Sequence, residues 1–305
     1  MEQTFYSNGK LLITGEYLVL DGARAFALPT RFGQWLSVWP GTGKKIRWTS
    51  FDADGSIWFE TEIGLDEIRH KIAAADPVRH TLINILHAAA QMNPAFYDTG
   101  GFDVQTRLTF ARQWGLGTSS TLISNIGQWL GIDAYQLLWN SFGGSGYDIA
   151  CAQHNSAIVY QRLEGGPMVE PIDFAPDFTT QLYFVYLNRK QNSQSAIANY
   201  KNKRFDLKHA VQTAGAIAEN IVKSGDAVEF AQHLRQYENL LSPILGMPAI
   251  QQQLFADFDG TVKSLGAWGG DFVLAVCKTD PTAYFHARGF ETVLTYREMI
   301  LSNVV

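Results

Sequence analysis

Between positions 10 and 63 the apolar residues come in short runs separated by turn-forming dipeptides. Lys10-Leu11-Leu12-Ile13 and Tyr17-Leu18-Val19-Leu20 flank Thr14-Gly15-Glu16, and residues 34–39, 45–50 and 56–63 alternate or cluster β-forming side chains. That rhythm predicts strands. Asp21-Gly22, Pro40-Gly41 and Asp54-Gly55 supply the turns, since these residue types accept the backbone angles a tight bend demands. The expected arrangement is an antiparallel meander with aromatic residues on its buried face. The period then changes: Val78, Leu82, Ile85, Leu86 and Ala89 share one face of a helix over residues 77–91.

A strand is expected over residues 101–110, followed by a glycine-containing loop over 111–117. Leu122, Ile123, Ile126, Trp129 and Leu130 follow Thr118-Ser119-Ser120 at helical spacing, which predicts a hydroxyl-capped helix. A second helix is expected over 134–139, then a turn at Gly143-Gly144-Ser145-Gly146-Tyr147-Asp148, then a strand over 156–162. Gly165-Gly166-Pro167, Pro171 and Pro176 are expected to interrupt regular structure between 164 and 177, and a domain crossover is placed there. Beyond it come a strand (181–187) and a polar loop (188–195). Two helices follow, the second stopping at Ser242-Pro243, then a short helix (249–258), a glycine-rich run and a strand (272–277). This order is that of an α+β protein.

The 305 residues are about twice a common domain length of roughly 150, which suggests two domains, divided as 1–175 and 176–305. The net charge is −5 and no basic run stands out. That argues against a general nucleic-acid binder, while one charged pocket could still receive an anion. Cys151 and Cys277 form neither a CxxC pair nor a metal-ligand spacing, so a reducing, cytoplasmic setting is expected. The first ten residues are polar, and the apolar runs are far too short to span a bilayer. The expectation is therefore a protein with no membrane partner.

Three glycine-rich segments carry the candidate chemistry. Gly115-Leu116-Gly117-Thr118-Ser119-Ser120 would bring backbone N–H groups close to a ligand at a helix start, where the dipole favours anions such as phosphate. A capped helix after a tight turn would use the same residues. Ser119 or Ser120 could also offer a hydroxyl to Mg²⁺, a hard cation that takes oxygen ligands. The second segment sets Asp148 on a turn, where it could act chemically or cap a helix. The third, Gly266-Ala267-Trp268-Gly269-Gly270-Asp271, precedes a strand, as an ordinary tight turn would, but its glycine density favours close approach of backbone to another group. Pro40-Gly41-Thr42-Gly43-Lys44-Lys45 lacks the glycine and the Ser/Thr of a Walker A loop and reads as a hairpin turn with solvated lysines.

Taken in order, Gly9-Lys10-Leu11-Leu12-Ile13-Thr14-Gly15-Glu16-Tyr17, the loop at 115–120 and the run at 266–271 resemble the three motifs of the GHMP kinases: galactokinase, homoserine kinase, mevalonate kinase and phosphomevalonate kinase. Each motif alone is weak; together they cover nearly the whole chain. Gly144-Ser145-Gly146-Tyr147-Asp148-Ile149-Ala150, Lys263-Ser264 and the closing Asp271 are similar to the phosphomevalonate kinase branch. The chain departs from the motifs at Asn8, Thr118, Thr121 and Trp268. It also has no carboxylate at 137–140, where mevalonate kinases carry a Mg²⁺-binding glutamate.

The resemblance implies an N-terminal domain like ribosomal protein S5, a C-terminal ferredoxin-like domain and transfer of the γ-phosphoryl group of ATP to a small anionic metabolite, phosphomevalonate or a close analogue. Mevalonate as acceptor, a catalytically silent ligand-binding protein and a related decarboxylase are the alternatives. It implies ATP at Gly115, Leu116, Gly117, Thr118, Ser119 and Ser120, with Mg²⁺ on Ser119. Asp148 is the candidate base or the anchor of the nucleophile, and Lys10 the cation beside it. Glu16, Ser145, Gly146, Gly266, Ala267, Gly269 and Gly270 are the candidate substrate contacts. Lys190, Ser193 and Ser195 could bind an anionic acceptor or simply be solvated. His154 is expected to be structural. A monomer or homodimer is expected.

Overall fold

A computed structural model describes residues 1–189, 200, 205–266, 268 and 270–301. Its first half contains β1 (Gln3–Thr14), β2 (Ala25–Pro40), β3 (Lys45–Phe51), β4 (Ile57–Gly64), α1 (Leu65–Arg69), α2 (Pro77–Met92), β5 (Gly101–Leu108), α3 (Thr118–Leu130), α4 (Ala134–Ser141) and α5 (Tyr147–Gln153). The second half contains β6 (Ala157–Leu163), β7 (Gly166–Ile172), β8 (Leu182–Tyr186), α6 (Leu207–Lys223), α7 (Ala227–Leu245), α8 (Ile250–Leu254), β9 (Thr261–Leu265), β10 (Phe272–Val276), α9 (Thr282–His286), β11 (Val293–Thr295) and α10 (Tyr296–Met299). The mixture is α+β, as the residue pattern predicts. No helix among the described residues is long and apolar enough to cross a membrane.

The chain folds into two compact units, each assembled from separate stretches of sequence. One comprises Met1–Gly9, Phe32–Arg112 and Leu116–Gln153; the other comprises Lys10–Arg31, Gln113–Gly115 and His154–Val305. Seven strands pair in the order β4-β3-β5-β2-β6-β7, with β1 also on β2. In the first unit β2 pairs antiparallel with β5 through Gln34↔Leu108 to Pro40↔Phe102, and β5 pairs parallel with β3. In the second unit the start of β2 pairs with β6 through Ala25↔Tyr160, and β6 pairs with β7.

The meander expected over 10–63 is thus corrected: β5 inserts between β2 and β3, although only four residues link those two strands. Residues 40–45 are consequently not a hairpin turn. The Gly41 N–H donates to the Gly101 carbonyl and the Lys44 N–H to Gly100, so the link is tied to the start of β5. Residues 17–20, expected as a strand, instead lead into a 3-10 turn, Leu18–Asp21, whose Leu18 and Val19 are buried. Gly15 at φ +110° and Tyr17 at φ +62° turn the chain away from an extended path, and a Cβ on Gly15 would sit 2.3 Å from that of Ala25.

The core of the first unit joins one face of its sheet, including Leu36, Val38, Trp48 and Val104, to Leu82, Leu86, Ile123, Ile126 and Leu137 on α2, α3 and α4. The apolar spacing of α2 and α3 exists to fill this layer. Buried polar groups fasten α3 as well: Ser7 Oγ lies 2.8 Å from Asn125 Oδ1, and Asn125 Nδ2 donates to the Gln34 carbonyl at 2.9 Å.

In the second unit β11-β8-β10-β9 form an antiparallel sheet of four strands. Val185, Val273, Ala275 and Val262 meet Ile250, Phe255 and Phe285 in its core. The proline-rich stretch expected to be irregular contains β7, with Pro167 opposite Arg162 and Pro171 opposite Ile158. Proline is tolerated there because an edge strand needs hydrogen bonds on one side only. Pro243 likewise fails to end α7, which runs to Leu245 and closes on Gly246 at φ +66°. A proline in the last turn forfeits one N–H, and the left-handed glycine completes the terminus.

Candidate functional site

The glycine loop ahead of α3 is built by two different constraints. In the second unit Trp114 packs edge-on against Phe272, ring centres 5.6 Å apart, and the Tyr186 hydroxyl donates to the Gln113 carbonyl at 3.2 Å. Gly115 follows at φ +68°, and a Cβ placed on it would lie 1.9 Å from Asp271 Oδ2. Only glycine satisfies both the backbone angle and the approach.

In the first unit Gly117, at φ +102°, is the residue that starts α3, and no side chain caps that start. The expected hydroxyl cap is therefore corrected. Ser120 Oγ donates back to the Gly117 carbonyl at 2.9 Å, and Thr121 Oγ1 donates to Gln34 Oε1 at 2.7 Å. Both hydroxyls turn inward, which leaves the first N–H groups of the helix without a side-chain acceptor among the described residues. Leu116 is fully buried and anchors the loop. Ser119 is exposed, and among the described residues its Oγ makes no hydrogen bond. Thr121, a departure from the family pattern, is accounted for by Gln34, a buried amide whose oxygen it satisfies.

Asp148 does not sit on the turn as expected but in the first turn of α5, which packs on α3 in the same unit. Gly143, Gly144 and Gly146 all have positive φ, at +79°, +115° and +98°, so the approach to Asp148 is a backbone path that L side chains resist. Ser145 and Gly146 are buried, whereas Asp148 is half-buried. The Asp148 carboxylate is thus held on a helix whose following residues, Ile149 to Ala152, are buried.

The remaining expected residues belong to the second unit. Lys10 lies half-buried on β1. Glu16 is buried, 3% exposed, and its Oε1 accepts from Lys263 Nζ at 2.5 Å. Lys263 is 1% exposed and also donates to the Ser264 carbonyl at 2.6 Å. Burial raises the Glu16 carboxyl, and the Lys263 ammonium opposes that rise. Glu238 on α7 is buried beside them and accepts the Ser264 N–H at 2.9 Å through Oε1. Burial pushes its carboxyl up to about 7.

The Tyr237 hydroxyl accepts the Gly15 N–H at 2.7 Å, and its phenol is pushed well above the ordinary range by burial and by Glu16. Gly266, at φ +70°, and Gly270 flank Trp268, whose N–H donates to the Tyr17 hydroxyl at 3.0 Å. The Trp268 indole is buried and donates to the Pro248 carbonyl at 3.2 Å, so this second departure from the family pattern is packed and hydrogen-bonded. Ala267, Gly269, Lys190, Ser193 and Ser195 lie outside the described residues.

Glu238 and Tyr237 were not singled out by sequence reasoning, and Lys263 only as part of a motif. The available signal was a lysine and a glutamate embedded in apolar runs, which charged side chains occupy only when paired.

Among the described residues no group of three or more His, Cys, Asp or Glu side chains could enclose a metal ion. The expected ligand Ser119 is exposed, and its hydroxyl is an oxygen of the kind Mg²⁺ takes.

The fold is that of the GHMP kinases. Mevalonate kinase of Methanococcus jannaschii superposes with a TM-score of 0.73 at 12% identity, covering 99% of each chain. Phosphomevalonate kinase of Streptococcus pneumoniae, in complex with phosphomevalonate and AMPPNP, gives 0.68 at 15% identity over 94% of this chain and 95% of that one. Lactococcus lactis galactokinase, complexed with galactose, gives 0.69 at 12% identity over 99% of this chain and 94% of that one. The motif resemblance is thereby borne out as a shared fold over the full length. No protein-family model matches the sequence, and no curated protein matches it.

Proposed function

We propose that the protein is an ATP-dependent small-molecule kinase of the GHMP type, acting on phosphomevalonate or a similar small anionic metabolite. The observation that carries this reading is the loop of residues 115–120: two left-handed glycines, an uncapped helix start and an unengaged Ser119 hydroxyl, on a fold shared with kinases. Backbone N–H groups from Gly117 to Ser120 receive the triphosphate, where the helix dipole favours its charge. The Ser119 hydroxyl would hold Mg²⁺, which would supply positive charge to offset that of the transferring group.

In the reaction, an acceptor oxygen attacks the γ-phosphorus, the bond between that phosphorus and the β–γ bridging oxygen breaks, and ADP leaves. Asp148 orients the attacking oxygen and, for a hydroxyl acceptor, takes its proton. An ionised phosphate acceptor has no proton to lose, so orientation is then the whole of the role. Lys10 offsets the charge that grows in the transition state. Glu16, Ser145, Gly146, Gly266, Ala267, Gly269 and Gly270 belong to the acceptor side of this reading. Its setting is the cytoplasm and its assembly a monomer or homodimer.

The decisive experiment measures ADP release over mevalonate, phosphomevalonate, homoserine and sugars. Turnover greatest with phosphomevalonate supports the proposal in full. Absence of turnover with every acceptor, despite nucleotide binding, replaces it with a silent binding protein, and CO₂ release with a decarboxylase.

A further inference from the structure

The second unit encloses two carboxylates and one ammonium, Glu16, Glu238 and Lys263, each at most 4% exposed. With all three ionised the cluster would carry an uncompensated buried negative charge, an arrangement that costs several kcal/mol. Retaining one proton removes that cost. The geometry decides where the proton belongs. Glu16 holds Lys263 directly, whereas the hydrogen bond that Glu238 receives comes from the neutral N–H of Ser264.

The other charged groups do not alter this assignment. On α7 itself, Arg235 donates to Thr261 Oγ1. From the turn after β1, Glu16 raises Glu238 further, while Lys263 from β9 opposes the rise without cancelling the effect of burial. The Tyr237 phenol borders Glu16, Tyr200 acts on that phenol in turn, and the Tyr200 hydroxyl donates to Asp21 at 2.7 Å.

We propose that Glu238 is carried as the neutral acid and, with Glu16 and Lys263, is a positioning residue that holds the 15–17 turn and, through Tyr17, Trp268 for the acceptor. The links are short. Glu16 binds Lys263, Lys263 and Glu238 both bind Ser264, β9 leads directly into Gly266, and Trp268 binds Tyr17. Among the described residues Glu16 Oε2 is buried with no close hydrogen-bond partner, and Lys263 is the cation that does most to hold this carboxylate against burial. Once Glu238 ionises, it competes for the same ammonium, and the turn loses part of its tether. The acceptor consequence rests on the kinase reading; the proton assignment does not.

The test pairs a spectroscopic with a kinetic measurement on wild type and Glu238→Gln, since glutamine reproduces the neutral acid's size and acceptor oxygen. Difference infrared spectra should show a protonated-carboxyl C=O band at about pH 6 that fades by about pH 8.5 and is missing from the variant. Over the same range KM for phosphomevalonate should rise several-fold, on the order of 3- to 10-fold, in wild type only, with kcat little changed. Ionisation of a phosphorylated acceptor near pH 6 is common to both proteins and cancels in the comparison.

An identical C=O band in both proteins, or a variant whose KM follows the wild-type pH profile, overturns the proposal. Should Glu238→Gln not fold, a carboxyl ¹³C titration of the wild-type protein decides: a buried carboxyl with a midpoint near neutrality supports it, and none overturns it. Loss of all turnover would remove the kinase reading, while the infrared and titration results would still decide the proton.

Discussion

Asp271 holds its carboxylate where Gly115 would carry a Cβ, with only 1.9 Å between that position and Oδ2. The closing residue of the third glycine segment therefore dictates glycine at the first residue of the 115–120 loop. Gly115→Ala should raise KM for ATP about tenfold through the clash and a left-handed penalty of roughly 1–2 kcal/mol. Gly115→Ala combined with Asp271→Gly should recover part of that loss, because only the angular strain remains. Steady-state kinetics on both variants checks this, and an unaffected single variant would contradict it.

Asp148→Asn is expected to lower kcat by about 10²- to 10⁴-fold, the range of a lost acid–base or orienting group, with little change in KM for ATP. Wild-type kcat in this variant would remove Asp148 from the mechanism.

Thr121→Val leaves Gln34 Oε1 without the hydroxyl that satisfies it. An unpaired buried polar atom costs about 1–3 kcal/mol, so the urea midpoint should fall accordingly. An unchanged midpoint would mean that Gln34 finds another donor.

Lys263→Met strands Glu16 as an unpaired buried carboxylate and should destabilise by about 3–5 kcal/mol. Adding Glu16→Gln should restore most of that loss, since a neutral amide needs no counter-ion. Equal denaturation midpoints for the single and double variants would contradict the pairing.

Stability should also depend on pH through Glu238. Its carboxyl is raised from 4.5 to about 7 in the folded state, so the neutral form is the one the fold favours. No penalty exists below the unfolded value; stability falls as pH rises from there and levels off above the folded value, a loss of roughly 3 kcal/mol. Urea unfolding of wild type and Glu238→Gln between about pH 5 and 8 should show the difference narrowing toward low pH.

Much of the fold was legible because periodicity reports burial directly. The helices at 77–91 and after Thr118, and the strands at 34–39 and 45–50, follow from which side chains must leave water. The glycine segments were legible as well, since left-handed angles at Gly115, Gly117 and Gly146 restrict those positions to one residue type. What neighbours each strand was not legible. The link from Pro40 to Lys45 reads as a hairpin, and only hydrogen bonds to Gly100 and Gly101, far along the chain, show that β5 lies between β2 and β3.

The sequence alone determined the alternation of elements, the glycine positions and the types of side chain available for chemistry, because these rest on local sterics and on the apolar pattern. Tertiary structure decided the partners: Thr121 with Gln34, Gly115 against Asp271, and Glu16 with Lys263 beside Glu238. Charge pairing and desolvation depend on distances between residues as remote in sequence as 16 and 263. Those distances exist only once the sheets and helices have packed.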